Sequence, residues 1–298
     1  MSAKANDRLL HVACGAAVAL VLLMLAILLA QVAIVGAPEI DLEFLSGQPT
    51  SDMSGGGIGP AIFGTVLMTM LMTVAVAPVG VATALYLSEY APRRSRWAEA
   101  IHAAVTNLAA VPSVVFGLFG LGFFVLFLGA SMDEVVGADT PSWGRPSVLW
   151  ASLTLSVLTL PVVIVSAEEA MREVPRELRE AAIGLGATRF QTVLAVVLPG
   201  AKAGILTGLI LAVSRGAGEV APLLFTGAAN FLPELPTDPR QMFMHLGYHV
   251  FTLATQSPDV DAVRRTLFGT VLVLLAIVLG LNAAAMVIRS RIRKRARA

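Results

Sequence analysis

The chain has 298 residues, of which 56% are hydrophobic and 14% charged, with a mean hydropathy of +0.79 and a formal net charge of +1. A soluble domain carries about 25% charged residues, so an ordinary water-soluble enzyme is excluded. A hydrocarbon core about 30 Å thick takes about 20 apolar residues per helix, and this composition crosses it several times.

Lys4 and Arg8 precede an apolar run over 12–35. That run exceeds the ~7 to 15 apolar residues of a cleaved signal and no A-x-A site follows, so a retained signal anchor is expected. Cys14, the single cysteine, forms neither an internal disulfide nor a multi-cysteine metal site. The next segment, 36–60, holds Ser54, Gly55, Gly56, Gly57 and Gly59 before Pro60. No strand precedes this run and no lysine follows, so it reads as a flexible stretch without chemistry.

Further apolar segments cover 61–87, 101–129, 147–167, 200–221 and 266–288, giving six spans in all. Pro78, Pro112 and Pro161 fall inside them, where a missing N–H frees a carbonyl and permits a bend. No period of 20–50 residues is present, which excludes a solenoid. The expected fold is all-α: a single polytopic membrane domain over 1–298 with a five-helix core at 61–288.

Charge is sorted along the chain. With both termini inside, the inner segments hold 15 Lys/Arg and 8 Asp/Glu, and the outer ones hold 4 and 11. This follows the positive-inside rule, with Arg289, Arg291, Arg293, Lys294, Arg295 and Arg297 contributing most. An even number of spans fits both ends in the cytoplasm.

Lys4, Lys202 and Lys294 are the only lysines and none closes a G-x-x-x-x-G-K-[ST] loop, so the chain does not hydrolyse ATP by a P-loop mechanism. His245 and His249 have the i, i+4 spacing of a zinc pair, but Leu246 stands where a metalloprotease needs glutamate. They are expected on the surface of the last outer loop. No catalytic residue, metal or cofactor is expected.

Beyond Lys202 at its very start, the fifth predicted span carries two charges deep inside it, Arg215 and Glu219. Each costs about 2.5–3.5 kcal/mol near the centre of an inserting helix, against ~3 kcal/mol returned in all by the large aliphatics of 200–221. The fifth span therefore relies on neighbours. At i, i+4 the two charges pair on one face, either as a neutral couple orienting the helix or as part of a translocation path, with Arg215 offering a fork to an oxyanion and Glu219 restraining it. The same helix carries Gly200, Gly204, Gly208, Ala212 and Gly216 at four-residue spacing, a stripe that lets another helix approach closely.

Residues 168–199 form the longest hydrophilic inner segment. Leu178, Ala181, Ala182 and Leu185 make an apolar stripe on a short charged helix after Pro175, with Gly186 as its stop. A second short run, Thr188 to Leu198, ends at Pro199, which suits the first turn of the fifth span. Such a stripe is buried either on the protein's own helix ends or in a partner's groove.

Glu180, Ala181, Ala182, Gly186, Val196, Leu198 and Pro199 resemble the E-A-A-x3-G-x9-I-x-L-P loop of ABC importer permeases, with Val196 in place of the usual isoleucine. GGGIGPAIFGT (55–65), NLAAVPSVVFGLFGL (107–121) and SRGAGEVAPLLFTG (214–227) are similar to permeases of phosphate-specific ABC transporters, and APLLFTG is similar to their A-type rather than C-type subunit. The resemblance implies a type I importer bundle. It also implies a C-type sister permease, a homodimeric ATP-binding subunit whose groove receives the loop, an extracytoplasmic phosphate-binding protein, and no nucleic acid. It implies that Arg215 and Glu219 take part in phosphate passage, Glu180 being the loop's polar contact and Gly186 its turn. The rival expectations are an importer of sulfate, molybdate or phosphonate, and a self-sufficient secondary carrier.

Overall fold

The computed structural model describes residues 3–50, 55–92, 95–137 and 140–295. Lys4, Arg8 and the basic residues from Arg293 onward lie outside the residues whose side chains are described. The described residues are mostly helical, with loops and isolated bridges between the helices, and six of the helices are long and apolar enough to cross a membrane.

Helix α1 (Ala3–Gly36) is exposed along its apolar length. It meets the bundle near its end, where Gly36 lies on the backbone of Phe268 and Gly269. A short α2 (Leu42–Ser46), capped by Asp41 through the Phe44 N–H at 2.7 Å, follows. The glycine run does not behave as the flexible stretch expected. Ile58 donates to the Phe44 carbonyl at 2.7 Å and Gly57 to that of Gln48 at 2.9 Å, so 55–59 is folded back over α2 with Ile58 fully buried.

The second span, α3 (Gly59–Tyr90), begins with Pro60 in its first turn, where the missing N–H costs nothing. It ends in a π turn closed by the Ala91 N–H on the Tyr86 carbonyl. Next comes α4 (Arg96–Ala110), amphipathic and capped by the Ser95 side chain. The third span, α5 (Ser113–Val136), starts only after Pro112. This corrects the expected span over 101–129: Val111 is extended (ψ 131°), as a residue before proline must be, so the helix stops and restarts. Pro112 thus lies at a boundary, whereas Pro78 and Pro161 are inside helices.

The fourth span, α6 (Val148–Arg172), is the most buried and forms the axis of the bundle. Met68 and Met72 of α3 pack with Leu155 and Leu158 of α6 and with Phe243, while Val76, Val163 and Ala212 continue the core. Two elements follow: α7 (Arg176–Gly184) and α8 (Arg189–Gly218). The run from Thr188 is not a separate short helix, because Leu198 donates to the Val193 carbonyl, five residues back, and this π turn absorbs the N–H that Pro199 lacks. The end of the loop, from Arg189, and the fifth span therefore form one continuous rod of 30 residues.

After α8 come α9 (Leu223–Thr226), α10 (Leu246–Thr255) and α11 (Val260–Arg295), the last containing the sixth span.

Candidate functional site

The glycine stripe sets where α8 sits. A Cβ on Gly208 would stand 2.6 Å from that of Ser166, and one on Gly200 3.0 Å from the Val174 side chain. Gly204 meets Ala170 and Gly216 meets Met72, closer still. The stripe thus seats α8 against α6 and α3 of the same chain, with Ala212 fully buried. Beside it, Ser214 accepts from the Asn282 amide of α11 at 2.9 Å.

Arg215 comes off the flank of that seam. Its Nε donates to Glu219 Oε1 at 3.3 Å, with 41% of the arginine side chain and 18% of the glutamate side chain exposed. The pairing anticipated from i, i+4 spacing is present, but not on a shared helical face. The helix ends at Gly218, and Glu219 is extended (φ −74°, ψ 137°). Glycines at 216 and 218 weaken the helix there, and Pro222 follows. Among the described residues, neither terminal guanidinium nitrogen of Arg215 has a hydrogen-bond partner, which leaves a two-pronged donor of the kind that fits an oxyanion.

His245 and His249 are not on the surface. Both are buried, because the chain turns back into the bundle at Met244 and α10 packs inward. His245 caps α10, its Nδ1 accepting from the Gly247 N–H at 3.1 Å and the Tyr248 N–H at 3.4 Å, while the Leu246 N–H donates to Thr65 Oγ1 of α3. An accepting Nδ1 fixes the proton of neutral His245 on Nε2. Burial pushes the imidazoles down, to about 3 for His245 and about 4 for His249. The zinc-pair spacing therefore serves a cap, and no group of three His, Cys, Asp or Glu suited to a metal occurs among the described residues.

Sequence reasoning missed Asp133. Its carboxylate, buried at the end of α5, accepts from the N–H groups of Ser142 at 3.0 Å, Trp143 at 2.9 Å and Gly144 at 2.7 Å. Trp150 Nε1 donates to the Trp143 carbonyl at 2.7 Å, so this carboxylate holds the connection into α6. Nothing in the local pattern marks it, since it stands among other outer acids.

In the loop, α7 buries none of its residues. Leu178, Ile183 and Phe190 are exposed, and Leu185, 90% exposed, lies past the helix end rather than on the stripe expected for it. Glu180 and Ala181 are exposed and Ala182 is half-buried. Gly186 turns the chain at φ +91°, which an L side chain rarely adopts. Thr188 and Gln191 then form a reciprocal capping box that starts α8. At the base, Val197 is buried, Leu198 half-buried and Pro199 exposed. The result is a knob whose apolar side chains are uncovered, joined through the Gly186 turn to a rod that runs up to Arg215.

Residues 76–298 match the family described as binding-protein-dependent transport system inner membrane component. The chain is 33% identical to the probable ABC transporter permease protein YqgI of Bacillus subtilis, over 96% of this chain and 95% of that one. It is 35% identical to the phosphate transport system permease protein PstA of Yersinia pestis, over 82% and 76% respectively. Among solved structures it is similar to a chain of the bacterial alginate ABC transporter in complex with an alginate pentasaccharide-bound periplasmic protein, with TM-score 0.65 at 19% identity over 95% of this chain and 96% of that one. It is also similar to a chain of the inward-facing MetNI methionine ABC transporter, with TM-score 0.59 at 18% identity over 78% and 94%.

Proposed function

Because the chain belongs to the binding-protein-dependent transport system inner membrane component family, we propose that it is the A-type permease subunit of an ATP-driven importer of inorganic phosphate. The observation that carries this reading is the short Gly186 turn that joins the uncovered apolar knob to the unbroken rod α8, which brings Arg215 and its open guanidinium prongs under the control of whatever grips the knob. The chain itself is non-catalytic. Its partners are a C-type sister permease, a homodimeric ATP-binding subunit on the cytoplasmic side and a phosphate-binding protein on the other. Both termini face the cytoplasm, in line with the charge asymmetry.

Mechanism follows from stiffness. The ATP-driven closing of the ATP-binding pair displaces α7, and the rod α8 transmits that displacement as a tilt. Gly200, Gly204, Gly208 and Gly216 let α8 roll on α6 and α3 with backbone close to side chain, a contact with few protrusions to unlock. Arg215 then presents two donors to phosphate arriving from outside, and Glu219, tethered by a single hydrogen bond, keeps the arginine from holding the anion too firmly. Reversal releases phosphate inward.

The test is co-purification followed by reconstitution. The tagged chain is expected to bring down a P-loop protein, and proteoliposomes of the complex with the binding protein are expected to accumulate labelled phosphate only with ATP. Accumulation by this chain alone would refute the reading, and preference for sulfate, molybdate or phosphonate would reassign the substrate.

A further inference from the structure

One polar side chain of α7 ties it to two different spans. Arg179 donates through Nη2 to Glu89 Oε1 at 2.9 Å and to the Met171 carbonyl at 2.6 Å, and through Nη1 to the Val174 carbonyl at 2.9 Å. The two carbonyls belong to the end of α6 and its exit, and Glu89 belongs to the π turn that ends α3. Among the described residues, the other charged side chains of α7, Arg176, Glu177 and Glu180, make no hydrogen bond or ion pair.

We propose that Arg179 is a positioning residue that links the ATPase-facing helix α7 to the second span through Glu89, so that displacement of the loop is delivered to α3 as well as to α8. The inference rests on the reading that α7 is gripped by an ATP-binding subunit.

Three features support a transmitting role over simple surface pairing. The Arg179 and Glu89 side chains are only 19% and 15% exposed, which removes most of the solvent screening that makes surface ion pairs weak. The planar guanidinium serves three acceptors at once, a geometry that lysine does not reproduce. A cavity of about 830 Å³ opens beside the link, bounded by Pro92 and His102 on one side and by Arg176, Glu180 and Arg189 on the other. α7 therefore has room to tilt toward Pro92 and His102, and Arg179 with Glu89 is the polar tie that turns the tilt into a pull on α3. Next to it, Ser88 Oγ lies 3.3 Å from Met171 Sδ, so the ends of α3 and α6 already touch at this point.

The experiment compares wild type, Glu89→Met, Arg179→Gln and the double variant in the whole reconstituted transporter, with phosphate moved per ATP hydrolysed as the readout at equal amounts of assembled complex. Each single variant is expected to lower that ratio about tenfold, the scale of one charge-assisted hydrogen bond. The double variant is expected to be no worse than either, and Arg179→Lys to fall between. Glu89→Met removes the oxygen acceptor at 89 and leaves both carbonyl bonds of Arg179, so it decides the matter even where Arg179→Gln does not assemble. A wild-type ratio in Glu89→Met, or single effects that multiply in the double variant, would overturn the link. Absence of ATP-dependent phosphate uptake in the wild-type complex would instead count against the transport reading.

Discussion

Arg215 and Glu219 are joined at 3.3 Å across a point where their helix has already ended, the arginine on its last turn and the glutamate on extended chain beyond Gly218. A pair this exposed is worth about 0–1 kcal/mol, so it is not what holds α8 in place. The close contacts of Gly204, Gly208 and Gly216 do that. Replacing Arg215 with Gln is therefore expected to leave assembly and thermal stability unchanged while lowering phosphate uptake by about tenfold or more, since a neutral amide loses the charge and the fork together. Uptake at the wild-type rate in the reconstituted complex would remove Arg215 from the path. Glu219→Gln is expected to be milder and to appear first in substrate release.

The pairing of Arg215 with Glu219 was legible because membrane insertion makes charge expensive: within 200–221 the two stand out against apolar neighbours after Lys202. Gly186 was legible because only glycine suits φ +91° after a helix. Other features escaped for equally physical reasons. Ile101 to Ala110 is apolar enough to merge with the third span on hydropathy, and only the backbone effect of Pro112 separates α4 from α5. His245 and His249 look like loop residues because their burial depends on the Leu246 N–H reaching Thr65, 181 positions away. Arg179 and Glu89 are 90 positions apart and each is ordinary in its own segment.

Seating of α8 predicts a stability contrast within a single helix. Gly208→Val places its side chain on Ser166 and Val163, and overpacking of this kind costs about 1–3 kcal/mol. Gly218→Ala, with open space around its Cβ, is expected to be neutral or slightly stabilising. Thermal unfolding of the two variants in detergent checks this. Equal midpoints would mean that α8 does not rest on α6 as described.

The turn at Gly186 separates backbone strain from packing, since no atom lies within 4 Å of an added Cβ. Gly186→Ala is expected to cost about 1–2 kcal/mol in the loop through its positive φ alone. The six spans should remain folded while ATP hydrolysis loses its coupling to uptake. Gly184→Ala, also in open space but helical, serves as the control and is expected to transport normally. Glu180→Gln should likewise weaken coupling without altering the fold, because Glu180 is exposed and makes no hydrogen bond or ion pair among the described residues. Intact phosphate movement per ATP in Gly186→Ala would mean that the shape of the knob is irrelevant to its docking.

The buried imidazoles of His245 and His249 make stability depend on acidity, with a definite sign. An unfolded histidine titrates near 6.5. Burial holds His245 to about 3 and His249 to about 4, so the folded chain stays neutral at both sites well below that value. Between about pH 6.5 and pH 4 the unfolded chain binds protons that the folded chain does not. Stability is therefore fully present above pH 6.5 and declines as pH falls, by up to about 1.4 kcal/mol per pH unit per histidine. His245→Asn keeps an acceptor for the N–H groups of Gly247 and Tyr248 but cannot titrate. Its unfolding midpoint is expected to be lower than wild type at pH 7.5, from imperfect filling of the site, yet to fall less steeply on acidification. Midpoints measured from pH 7.5 to pH 4.5 distinguish the two slopes. Parallel curves would show that proton uptake at His245 does not contribute to the acid sensitivity of the fold.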